Sequence, residues 1–130
     1  MSKVLENIKK QASLLNKCIV LPEGEDKRVV VAAAQAVKEN LARVVVLGNL
    51  DQIKADNPDV DLTGVEIVDP QTDSRQKEYA NLLFELRKSK GMTEEQAEAL
   101  SKDCTYFGML MLKAGAADGL VSGACHSTAN

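Results

Sequence analysis

Two short runs of apolar, mostly β-branched residues, "CIVL" at 18–21 and "VVVL" at 44–47, constrain this chain more than any other feature. Neither run alternates with polar residues, which is the pattern of a strand covered on both faces. Strands of that kind are usually parallel, and parallel neighbours need a crossover of a dozen residues or more, commonly a helix. The stretch between the runs supplies one. In "EDKRVVVAAAQAVKENLA", residues 25–42, the helical spacing turns Val30, Ala33, Ala34, Val37 and Leu41 inward, and Asp26 stands at the N-cap.

The rest of the chain repeats the alternation. Residues 2–16 place Val4, Leu5, Ile8, Ala12 and Leu15 on one helical face, with Ser2 as the cap. "KCIVLPEG" reads as a strand broken by Pro22 and Gly24, and "RVVVLGN" as the second strand. A short helix over Leu50 to Ala55 and a loop around Pro58 lead to a third strand in "VEIVDP". The spacing then predicts a long helix from Thr72 to Lys90, with Tyr79, Leu82, Leu83 and Leu86 as its apolar stripe and Gly91 after its end. Thr93 and Gln96 have capping-box spacing, "CTYFGMLMLKAG" is a further apolar helix closed by Gly115, and "ADGLVSGA" is the fourth strand and its turn. The expected fold class is α/β, doubly wound around a mainly parallel sheet, within residues 1–130.

Composition narrows the function classes. The 16 basic and 19 acidic residues are interspersed and leave a net charge of −3, which gives nucleic acid no basic patch to bind. The three cysteines, Cys18, Cys104 and Cys125, are widely spaced and form no CxxC pair, so they read as reduced thiols of a cytoplasmic protein. No apolar stretch approaches the ~20 residues needed to span a bilayer, and the amino-terminal residues lack a signal-peptide core. Aromatic residues make up only 3%, so the core must be aliphatic.

Ligands of open α/β sheets bind beyond the carboxyl ends of the strands, which directs attention to "LPEGEDKR", "VVLGN" and "LVSGACHST". In the last of these, Ser122, Gly123 and Ala124 enter a tight turn, and Ser127 and Thr128 follow at a helix start. Freed backbone N–H groups and hydroxyls there suit an anion such as phosphate. The same residues also read as a plain turn and helix cap, and spacing alone leaves both open. Adjacent residues on a helix do not face each other, so Cys125 and His126 make a poor nucleophile and base. With one histidine and no cysteine cluster, no metal site is expected.

Lys27 and Arg28 fall in a first helical turn, where the macrodipole disfavours cations. Either Glu25 and Asp26 neutralise them, or the position offers a cation to an anionic ligand. Arg87 ends its helix with no carboxylate three or four residues away, whereas Arg75 has Glu78 within its turn and reads as structural. Glu23 and Glu25 suggest a carboxylate pair, but a loop setting favours solvated side chains.

Three segments, "VLPEGEDKRVVVAA", "ELRKSKGMTEEQA" and above all "ADGLVSGACHSTA", resemble the amino-terminal part of the phosphate acetyl/butyryltransferase family. The resemblance covers the whole chain. It implies a fold like that of the isocitrate dehydrogenase group, in a homodimer of two-domain subunits with the active site in the interdomain cleft. It implies exchange of an acetyl group between coenzyme A and inorganic phosphate, with coenzyme A as a substrate and no covalently bound cofactor. Arg28 and Arg87 match arginines of the catalytic cleft, and Ser122, His126, Ser127 and Thr128 match the loop bordering the phosphate or acetyl phosphate site.

Members of that family are more than twice as long. They continue past this segment into a Thr-x-Arg-Pro motif, so the second domain, the thiol-activating base and much of the coenzyme A site are expected beyond residue 130. The expectation is therefore an amino-terminal portion of a phosphate acetyltransferase, inactive by itself. The alternatives are a phosphate butyryltransferase and a non-catalytic ligand-sensing domain on the same scaffold.

Overall fold

The computed structural model describes Ile8 and residues 17–121. Strand β1 (Cys18–Leu21) leads into helix α1 (Lys27–Lys38), β2 (Arg43–Leu47), α2 (Leu50–Asp56) and β3 (Glu66–Val68). Helix α3 (Gln76–Arg87) runs into a 3₁₀ turn at Lys88–Lys90, followed by α4 (Glu94–Leu100), α5 (Cys104–Lys113) and β4 (Gly119–Leu120). The four strands form one sheet in the order β3-β2-β1-β4, and every pairing is parallel. Of the expected first helix, only Ile8 is among the described residues, and it is helical and buried.

Period-two alternation divides the unbroken apolar runs between two cores. Ile19, Leu21, Val44 and Val46 pack with Ile8, with Val29, Val30, Ala32, Ala33 and Ala36 of α1, and with Ile53 of α2. Cys18, Val20, Val45 and Leu47 point the other way, onto Tyr79 and Leu83 of α3 and Phe107, Leu110 and Met111 of α5. The sheet is therefore covered on both faces, and the chain is doubly wound as its pattern predicts. Register pairs Cys18 with Arg43 and Leu21 with Val46.

Local chemistry sets most element boundaries. Asp26, Asn49, Thr93 and Asp103 cap their helices through side-chain oxygens, and Thr93 and Gln96 complete the capping box. Helix α1 closes with Asn40 at φ 56°, Leu41 N–H donating to the Ala36 carbonyl at 2.9 Å. Gly115, at φ 82°, closes α5 in the same way.

Several expectations need correction. Helix α3 starts at Gln76 rather than Thr72, because Asp73 turns its carboxylate onto the Arg75 N–H at 2.9 Å and holds the preceding residues in a turn. Leu86 of the expected apolar stripe is exposed, as is Val31 on the outer side of α1. The inward face of α1 is rotated toward Val29, Ala32 and Ala36, leaving Ala34 and Val37 half-buried.

Candidate functional site

The carboxyl edge of the sheet gathers the loops after β1, β2 and β3. The loop after β1 is held tightly. Gly24 N–H donates to the Leu47 carbonyl at 3.1 Å, and a Cβ on Gly24 would stand 2.6 Å from that oxygen and 2.9 Å from Ile53 Cδ1. Only glycine lets the backbone come so close. In the next loop, Gly48 N–H donates to the Val68 carbonyl at 2.9 Å, so backbone bonds tie the three strand ends in series.

Within the first loop Glu23 is buried, at 1% exposure, against the expectation of a solvated carboxylate. The close approach at Gly24 and the Asp26 N–H bond to the Glu23 carbonyl at 3.0 Å tuck this turn under the rim. Glu25 remains exposed, as expected.

Arg28 stands in the first turn of α1 at this edge, and its guanidinium is fixed by the cap itself. Asp26 Oδ1 accepts from the Arg28 backbone N–H at 2.9 Å and from Nε–H at 3.2 Å, and Oδ2 accepts from Nη2–H at 2.9 Å. The Asp26 side chain is 7% exposed and that of Arg28 is 67% exposed. Asp26 thus neutralises Arg28 while leaving much of its guanidinium at the surface. Lys27 pairs instead with Asp59 at 2.9 Å, and the Lys27 side chain holds the Asp59 carboxyl below its usual range.

Cys104 opens α5 within electrostatic reach of Glu25 and Asp69, from the loops after β1 and β3. Burial first, and then the carboxylates of Glu25, Asp103 and Asp69, push its thiol up to about 11. It is a neutral thiol at physiological pH, on an otherwise acidic rim. Sequence reasoning overlooked this placement. The signal was Asp103 at the start of a helix that leads into β4, since a helix returning the chain to the amino end of the next parallel strand begins near the carboxyl edge.

Arg87 is the last residue of α3, on the opposite face of the sheet from α1 and Arg28. Among the described residues no carboxylate pairs with it, while its neighbour Lys88 takes Glu85 at 2.7 Å. It borders two hollows. One, of about 560 Å³, includes Lys90, Met92, Gln96 and Leu100. The other, of about 330 Å³, lies between α3 and α5 and includes Leu86, Tyr106, Met109 and Lys113. Two or three cations over apolar walls suit a ligand with an anionic group and an apolar portion. Arg75, expected to pair with Glu78, bonds Asp73 at 2.9 Å and lies 5.8 Å from the Phe107 ring centroid, a structural role.

Ser122, His126, Ser127 and Thr128 lie outside the described residues, as does Cys125. The described chain reaches Val121, whose N–H donates to the Val20 carbonyl at 3.0 Å. This bond delivers the chain to the same carboxyl edge that carries Arg28. Among the described residues no group of three or more His, Cys, Asp or Glu side chains could hold a metal ion, and no helix is long and apolar enough to cross a membrane.

Comparison with known proteins gives this geometry a setting. A phosphate acetyltransferase of Acetivibrio thermocellus is 49% identical over 126 residues, covering 97% of this chain and 38% of that protein. One from Thermoanaerobacterium thermosaccharolyticum is 44% identical over 127 residues, covering 98% of this chain and 39% of its own length. The solved EutD phosphotransacetylase from Staphylococcus aureus superposes with a TM-score of 0.83 at 36% identity, over 97% of this chain and 40% of that one. The chain therefore spans 38–40% of the length of these three proteins. The family model described as phosphate acetyl/butaryl transferase matches residues 3–130, and this chain belongs to that family.

Proposed function

We propose that the chain is the amino-terminal portion of a phosphate acetyltransferase, which exchanges an acetyl group between coenzyme A and inorganic phosphate. The observation that carries this reading is 49% identity to a phosphate acetyltransferase across 97% of the chain. The doubly wound fold, superposing on a phosphotransacetylase at a TM-score of 0.83, supports it. Coenzyme A enters as a substrate and no cofactor is covalently held. The substrates are small molecules, and the complete enzyme works as a cytoplasmic homodimer.

In this reading the coenzyme A thiolate attacks the acetyl carbonyl carbon of acetyl phosphate. The carbon–sulfur bond forms, the bond from carbon to the bridging oxygen breaks, and phosphate leaves with the electron pair. The thiol proton passes to a base in the part of the enzyme this chain does not cover. Fixed cations and N–H donors stabilise the charge that builds on the carbonyl and phosphate oxygens. Arg28 serves at the carboxyl edge, with Ser122, His126, Ser127 and Thr128 completing the phosphate wall, and Arg87 contributes from the opposite face of the sheet.

The test is acyl transfer to coenzyme A from acetyl phosphate and from butyryl phosphate, by a polypeptide of full family length beginning with this chain. Preference for the acetyl donor, with no turnover by the 130 residues alone, is the expected result. Preference for the butyryl donor, or turnover by the short chain, overturns it.

A further inference from the structure

We propose that Asp26 is a positioning residue that sets the aim of Arg28, an inference resting on the reading of Arg28 as an anion-binding cation. The Asp26 carboxylate performs two tasks at once. It caps α1 through the Arg28 backbone N–H, and it grips the side-on edge of the same residue's guanidinium through Nε–H at 3.2 Å and Nη2–H at 2.9 Å. A guanidinium is planar and its donors form a rigid fork, so fixing one edge fixes the direction of the opposite edge.

The anchor is itself immobile. Asp26 is 8% exposed, and α1 behind it is locked by the buried Val29 and Val30. An arginine on an exposed first turn otherwise samples many rotamers and loses that freedom on binding. Asp26 removes part of this loss in advance, at the cost of placing a carboxylate near the anion. The pairing therefore tunes geometry rather than net charge.

Asp26→Asn separates the two tasks. The amide oxygen still accepts the Arg28 backbone N–H and caps the helix, but the amide NH₂ opposes the guanidinium donors and the ionic grip is lost. In the 130-residue chain, the Arg28 Nη–H resonances are expected to exchange with water several-fold faster in Asp26→Asn, because Nη2–H loses its Oδ2 acceptor, with an unchanged thermal midpoint. In the full-length polypeptide, the variant is expected to raise KM for acetyl phosphate about tenfold with kcat within about twofold, and to add nothing to Arg28→Ala.

If Arg28→Ala raises KM while Asp26→Asn leaves KM and the Nη–H exchange unchanged, the positioning role fails and the anion-binding reading stands. If Arg28→Ala leaves KM unchanged, the reading of Arg28 itself fails. If Asp26→Asn lowers the thermal midpoint as far as Asp26→Ala does, Asp26 is a helix cap only.

Discussion

Gly24 and Leu47 join the carboxyl ends of the two central strands: the Gly24 N–H donates to the Leu47 carbonyl at 3.1 Å, where a side chain on Gly24 has no room. That contact fixes the turn from which Asp26 and Arg28 are presented. Gly24→Ala would set a Cβ 2.6 Å from a backbone oxygen that cannot swing aside. The expected cost is about 1–3 kcal/mol in chemical denaturation, as for other overpacked sites. Gly108→Ala is the control. Its Cβ meets Leu120 Cδ1 at 3.1 Å, a side-chain end that can give, and alanine regains about 1 kcal/mol of helix propensity. Its stability should stay close to that of the parent, and equal losses in the two variants would remove the distinction.

Cys104 should be chemically quiet. With the thiol held at about 11 by burial and by Glu25, Asp103 and Asp69, iodoacetamide should react slowly with Cys104 near neutral pH in a Cys125→Ser background, the site of labelling being separated from Cys18 by peptide mass. The rate should climb about tenfold per pH unit well past the ~8.5 of a free thiol. A plateau near that ordinary value would show the thiol to be less buried, and less crowded by carboxylates, than the structure has it.

Asp73 and Arg75 form a partly buried pair, and Arg75 holds the Asp73 carboxyl below its usual range, chiefly through its side-chain hydrogen bond. A depressed folded-state pKa stabilises the fold above the unfolded value of about 3.9, and that stability is lost as pH falls through the folded value. Asp73→Asn keeps the acceptor for the Arg75 N–H but not the charge. It should cost on the order of 1 kcal/mol at neutral pH and nothing once Asp73 is protonated in both states. Melting curves for the two proteins should converge only below pH 4, roughly. Parallel curves down to the lowest pH would exclude the pair as the cause.

Much of the fold was legible because its elements speak locally. The unbroken "CIVL" and "VVVL" runs could be covered on both faces only in a parallel sheet, and Asp26, Thr93 with Gln96, and Gly115 mark helix ends by chemistry that needs no tertiary partner. What spacing missed depends on distant contacts. Glu23 is buried because Gly24 meets Leu47 from another strand, and Cys104 lies at the rim because α5 begins there, beside Glu25 and Asp69 from other loops. Leu86 satisfies the apolar period of α3 yet is exposed at the hollow between α3 and α5. For the candidate site, motif spacing read Ser127 and Thr128 as a cap or an anion ligand, and Arg28 as neutralised or functional. The structure shows Arg28 paired with Asp26 and still two-thirds exposed, so those alternatives are not exclusive.

The central claim is that this chain carries the phosphate-binding wall of an acetyl-transferring enzyme. Its most direct test is a titration of the isotopically labelled chain with inorganic phosphate, followed by amide and arginine side-chain NMR. The account predicts saturable shifts concentrated at residues 22–28, including Arg28 Nε–Hε, and at 119–128, weakened by Arg28→Ala and by Ser127→Ala. Phosphate shifts that are absent, or that survive both substitutions unchanged, would contradict it.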